Sequence, residues 1–217
     1  MHPEVLVEHI RKMKEATDKP WGINVPLLYP EIDRLMNIII QEGVKIVFTS
    51  AGSPKKWTPL LKSHGITVAH VISSTLFAKK CEEAGVDAVV AEGFEAGGHN
   101  GREETTTLTL IPNVVESCSL PVIAAGGISS GKSVAAAMTL GAEGVQIGTR
   151  FAVAAESSAH PTFKQRVFDT EEGGTMLALK KLAPTRLIKN DFFNQVKALE
   201  DAGAEAAQLT ELLGKGR

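Results

Sequence analysis

The residues of this chain best suited to chemistry lie in three glycine-rich segments. The first reads Glu92-Gly93-Phe94-Glu95-Ala96-Gly97-Gly98-His99-Asn100-Gly101. Its glycines let a backbone approach a ligand closely and present N–H groups without side-chain obstruction. His99 stands among them with a side chain that can act as acid or base near neutral pH. In the second segment, Ala124-Ala125-Gly126-Gly127-Ile128-Ser129-Ser130, two glycines come just before a predicted helix start. Amide donors and the helix dipole favour a phosphate there. The third, Gln146-Ile147-Gly148-Thr149-Arg150, adds another glycine and a hydroxyl. Asn24, near the end of a predicted strand, could donate to a carbonyl or ring nitrogen of a ligand, a weak signal by itself.

Other polar and aromatic residues fit structural roles better. His70 lies within a predicted strand and suits a satisfied core or rim position. His160, before Pro161, suits a cap or turn. Trp57, Phe192 and Phe193 are expected to pack, and the basic runs Arg11–Lys14, Lys55-Lys56 and Lys180-Lys181 to be solvated helix faces. Cys81 and Cys118 have neither zinc-site nor disulfide-framework spacing, which predicts two free thiols in a reducing cytoplasm.

Six short apolar, mostly β-branched runs must position these segments: Trp21–Val25, Ile46–Ser50, Thr67–Ile72, Ala88–Ala91, Pro121–Ala125 and Gly144–Gly148. Continuous apolar runs of this kind read as strands buried on both faces of a parallel sheet. Helical patterns separate them, including Ile32, Leu35, Met36, Ile39 and Ile40 on one face. A second runs through Val134, Ala137 and Met138, started by Ser129 or Ser130 and closed by Gly141. Helices ending at Gly43, Gly85 and Gly141 each turn into the next strand. A repeating β-α unit without a Rossmann fingerprint predicts a TIM (β/α)8-type barrel. The three glycine segments then fall after the fourth, fifth and sixth strands, where barrels carry their sites, and the last two loops suit a phosphate.

Six of the eight strands are visible, so the barrel is read as incomplete. It occupies residues 1–155, followed by a helical appendage at 156–217 with helices over Glu156–Phe168, Asp191–Leu199 and Ala202–Gly214. A barrel with an appendage needs more than 217 residues, since about 250 is typical. The expectation is a chain short by roughly two β-α units. The charge balance of 23 basic against 25 acidic residues disfavours a nucleic-acid binder. Ordinary hydrophobicity disfavours disorder, and no run reaches the roughly 18 apolar residues of a membrane span. The N-terminal stretch reads as an amphipathic helix rather than a signal peptide. A cytoplasmic protein acting on a small molecule is expected, with a homodimer allowed.

The segments VVAEGFEAGGHNG, PVIAAGGISSGKSVAAAMTLGAEGVQIGTRF and ESSAHPTFKQRV together resemble the FMN-dependent nitronate monooxygenase (2-nitropropane dioxygenase) family. They are similar also to the FMN-dependent enoyl-acyl-carrier-protein reductases. The resemblance covers about residues 20 to 200 and implies a flavin barrel. It implies FMN contacts at Asn24, Glu92, Gly97, Gly98, Gly126 and Gly127, with Gln146, Gly148 and Thr149 completing the phosphate end. His99 matches the family's catalytic base or substrate-positioning histidine. The implied reaction is oxidation of an alkyl nitronate with O2 to a carbonyl compound and nitrite. The alternatives are enoyl-thioester reduction with NAD(P)H, which Glu92 suits at least as well, and an inactive or split barrel fragment.

Overall fold

The computed structural model describes residues 2–214. In chain order the elements begin with α1 (Pro3–Ala16), β1 (Gly22–Pro26), α2 (Ile32–Gln41), β2 (Ile46–Ser50) and α3 (Thr58–Ser63). β3 (Thr67–Ile72), α4 (Thr75–Glu83), β4 (Ala88–Glu92), β5 (Gly98–His99) and α5 (Thr107–Ser117) follow. The chain continues through β6 (Val122–Ala125), α6 (Gly131–Thr139), β7 (Gly144–Gln146), α7 (Thr149–Ala152) and α8 (Pro161–Phe168). It closes with β8 (Thr175–Ala178), β9 (Thr185–Ile188), α9 (Asp191–Asp201) and α10 (Ala206–Leu213).

All six predicted strands are present, in one sheet of order β1-β2-β3-β4-β6-β7. Neighbours from β1 to β4 are parallel, with Val25 opposite Thr49, Thr49 opposite His70 and His70 opposite Val89. The side chains of Val47, Val68, Val89 and Val90 are fully buried, as strands of a covered parallel sheet require. Helices α2, α4 and α6 end at glycines: Gly43, Gly85 and Gly141 hold φ of 67°, 75° and 98°. That left-handed conformation ends a helix and turns the chain into the next strand. Ser130 caps α6, its side chain accepting from the Ser133 amide in a capping box.

The chain divides into two compact units, Met1–Ala91 with Asn113–Ile123 and Glu92–Pro112 with Ala124–Arg217. These interleave along the sequence. The first unit holds β1 to β4 and their helices. The second has a core of Ala178, Leu179, Phe193, Val196 and Leu209. The helical appendage expected over 156–217 also carries strands. The predicted helices appear, though trimmed to Pro161–Phe168 and Ala206–Leu213, but β8 and β9 lie among them. They form with β5 an antiparallel sheet of order β5-β9-β8. Two four-residue strands and a two-residue one are too short to show the alternation by which strands are recognised, and their pairing is long-range.

Candidate active site

Nine of the ten predicted site residues lie in the second unit. Glu92 ends β4, His99 and Gly98 make up β5, and Gly126 and Gly127 follow β6. Gln146 ends β7, and Gly148 and Thr149 open α7. The tenth, Asn24, belongs to the first unit. It sits in mid-strand, third of the five residues of β1, and is exposed.

The loop after β4 is tightly built before it reaches the histidine. The Gly93 amide donates to Ala125 O at 2.9 Å, the Phe94 amide to Thr105 O at 3.0 Å and the Ala96 amide back to Gly93 O at 3.1 Å. Both Glu95 carboxylate oxygens accept from the Thr107 amide at 3.0 Å, and one also from its hydroxyl at 2.9 Å. Glu95 thus satisfies a free amide at the start of α5, where a carboxylate is favoured by the helix dipole. Beyond this turn Gly98, at φ 85°, leads into an exposed His99.

The glycines fall into two groups with different physical reasons. A Cβ on Gly93 would lie 2.1 Å from Thr107 Oγ1, and one on Gly126 would lie 2.6 Å from Gly93 O. Those two positions are demanded by the protein's own packing. A Cβ on Gly98 or Gly148 would meet nothing within 4 Å, and one on Gly97 would meet only Thr149 Oγ1, at 4.0 Å. The loops after β4, β6 and β7 therefore converge within this unit: Gly97 approaches Thr149, and Gly127 approaches the Glu95 side chain at 3.2 Å. Space is open beside Gly98 and beside Gly148, and Gln146 and Thr149 are exposed, so the backbone there is unobstructed by side chains. The α6 terminus contributes less than the sequence implies. The Ser129 and Ser130 amides donate to Ser133 Oγ, and the Ser133 amide to Ser130 Oγ.

Glu92 is half-buried at the strand end, and burial raises its carboxyl pKa above the ordinary value. The residues assigned structural roles keep them. His70 is 5% exposed, with Nδ1 2.6 Å from Thr49 Oγ1, and His160 caps α8 by accepting from the Thr162 amide. Trp57 and Phe193 are buried. Cys81 and Cys118 are free thiols. Burial and the neighbouring Cys118 push the Cys81 thiol up to about 12. Lys12, Lys14, Lys56 and Lys181 pair with carboxylates on exposed surfaces. Among the described residues no helix is long and apolar enough to cross a membrane.

One residue in contact with the site has no local sequence signal. Arg186, on β9, donates from Nε and Nη2 to Phe94 O at 3.1 and 2.8 Å. Its guanidinium also lies over the Phe94 ring, 5.1 Å from the centroid. Only the hairpin-like return of the C-terminal strands brings it there.

Comparison with known proteins places this geometry. Residues 29–215 match the family model for nitronate monooxygenase. A "(3aS,4S,5R,7aS)-5-hydroxy-7a-methyl-1-oxo-octahydro-1H-indene-4-carboxyl-CoA dehydrogenase" of Rhodococcus jostii is 33% identical over 189 residues. That match covers 87% of this chain and 53% of the dehydrogenase. A probable nitronate monooxygenase of Bacillus subtilis is 32% identical, covering 81% of this chain and 62% of its own. Among solved structures, FabK of Thermotoga maritima superposes with a TM-score of 0.91 at 40% identity, over 97% of this chain and 67% of that one. The nitroalkane oxidase of Streptomyces ansochromogenes gives 0.82 at 25% identity, over 94% and 70%. The chain thus spans 53% to 70% of the length of these relatives. Its six strands are those of an incomplete TIM-type barrel.

Proposed function

Because this chain belongs to the nitronate monooxygenase family, we propose that it works as an FMN-dependent oxidoreductase taking alkyl nitronates with O2 to a carbonyl compound and nitrite. The observation that carries this reading is the placement of an exposed His99 beside open glycine loops of the same compact unit. Bound FMN would supply the electron-transfer chemistry. The chain itself would hold the phosphate end with Gly127, Gly148, Thr149 and Gln146, and the rest of the cofactor with Glu92, Gly97, Gly98 and Gly126. Gly126 contributes through its backbone, since packing already forbids a side chain there. Burial of Glu92 raises its carboxyl pKa, which disfavours its charged form. His99 would take the proton from the carbon that bears the nitro group of a neutral nitroalkane.

A second reading has its own support. Enoyl-thioester reduction with NAD(P)H fits Glu92, and it fits a set of relatives that includes a carboxyl-CoA dehydrogenase at 33% identity. The two readings separate in one experiment. The chain is reconstituted with FMN, then assayed for nitrite release from propyl-2-nitronate and for NAD(P)H oxidation with crotonyl-CoA. Nitrite release without thioester reduction supports the first reading, and the reverse supports the second. A flavin-loaded protein inactive in both assays rejects both.

A further inference from the structure

The C-terminal sheet does more than complete the second unit, and its contribution centres on one side chain. β5 is only two residues long, Gly98 and His99, and exists as a strand because β9 pairs with it: Gly98 opposite Arg186 and His99 opposite Thr185. Next along the chain, the Asn100 amide donates to Pro184 O at 2.8 Å. Two glycines precede His99, and glycines supply no side chains to anchor a backbone. The position of the imidazole is therefore set by what grips the chain around Gly97-Gly98. The Asn100 side chain donates to Ala96 O at 2.9 Å and Gly98 O at 3.0 Å from within the loop, and Arg186 holds the segment from β9. Its backbone pairs with Gly98, while its guanidinium reaches past that residue to Phe94 O through Nε and Nη2. The same group covers the Phe94 ring, and Nη1 donates to Thr175 Oγ1 on β8 at 3.3 Å.

We propose that Arg186 is a positioning residue for the histidine loop: its forked contact on Phe94 O and its strand pairing with Gly98 hold the segment between them, and with it His99, in one geometry. The inference rests on the reading of His99 as the proton-accepting group. A planar fork is what the contact uses, because two nitrogens of one guanidinium converge on one carbonyl while its face lies on an aromatic ring. Lysine can supply one donor and a charge, but not the fork. A displacement of about 1 Å in a reacting group can cost on the order of 100-fold in rate, so a loosened loop should act on turnover.

The test uses Arg186→Met and Arg186→Lys in the full chain, with amide hydrogen exchange as a readout that needs neither cofactor nor substrate. Arg186→Met should speed exchange over residues 94–100 about tenfold or more while exchange in β2, β3 and β4 stays as in wild type. In the FMN-loaded protein it should lower kcat with a neutral nitroalkane at least about tenfold and leave KM within about twofold. Oxidation of a preformed nitronate should change much less, and Arg186→Lys should recover part of the loss. Unchanged exchange over 94–100 overturns the proposal, as does faster exchange with unaltered turnover. Should Arg186→Met fail to fold, Arg186→Lys decides on the same two readouts. If the loaded wild type oxidises neither nitroalkane nor nitronate, the assignment to His99 falls, and loop exchange alone decides whether Arg186 is the brace.

Discussion

His70 and His99 show how the two units use the same side chain. His70 stands on β3 in the first unit, 5% exposed, with Thr49 Oγ1 at 2.6 Å and a backbone hydrogen bond at Gly52. Removal from water disfavours its charged form, and its pKa drops to about 4. It is a neutral polar clasp between β2 and β3. His99 is exposed at the edge of a small antiparallel sheet, with its backbone held and its ring free. A buried histidine whose hydrogen bonds are already made is committed to stability. One presented with its side chain exposed is not committed in that way.

Substituting the exposed histidine bears hardest on this contrast. His99→Ala should lower turnover of a neutral nitroalkane by about 10²- to 10⁴-fold. It should leave unfolding free energy within about 0.5 kcal/mol of wild type, measured by urea titration beside the nitrite assay. Equal loss on a preformed nitronate would remove the base role and with it half of the comparison.

His70 gives the next largest effect, on stability against pH. Its folded pKa lies below the ordinary 6.5, so the unfolded chain takes up the proton first. Its contribution is complete above about pH 6.5 and is lost as pH falls towards 4, by about 3 kcal/mol in all. His70→Gln, which keeps hydrogen-bonding capacity but does not titrate, should flatten that part of the curve. Parallel curves for variant and wild type would show that His70 is not the group responsible.

The two kinds of glycine sharpen the comparison further. Gly93→Ala forces a methyl against Thr107 and should destabilise the protein by about 1–3 kcal/mol. Gly148→Ala should leave the melting temperature unchanged while weakening FMN binding, followed by quenching of flavin fluorescence. Smallest of all, Asp33→Ala removes an exposed partner of Lys56 and should cost less than about 1 kcal/mol. A larger loss there would show that the first unit depends on its surface pairs as well as its buried strands.

How much of this was legible beforehand follows from where each signal resides. Runs such as Val68-Ala69-His70-Val71-Ile72 announce a buried strand because both faces need apolar cover. Gly43, Gly85 and Gly141 announce helix ends because their left-handed backbone suits glycine. The His99 loop was found from its glycines and its place after a strand. Packing against Thr107 and Gly93 O accounts for the missing side chains of Gly93 and Gly126, which the spacing of glycines alone does not distinguish from the others. Arg186 had no signal at all. It lies 92 residues from Phe94, on a four-residue strand whose partner on the histidine side is two residues long.

The sequence by itself determined the parallel β-α order, the glycine helix ends, the family and the loops in which chemistry is sought. Each is written in local composition and spacing. Only the tertiary structure decided which glycines face the protein and which face open space. It alone paired His99 with β9, buried Glu92 enough to raise its carboxyl and closed Arg186 onto Phe94. Those outcomes depend on contacts between segments far apart in the chain, and no local pattern records which partner the fold will bring.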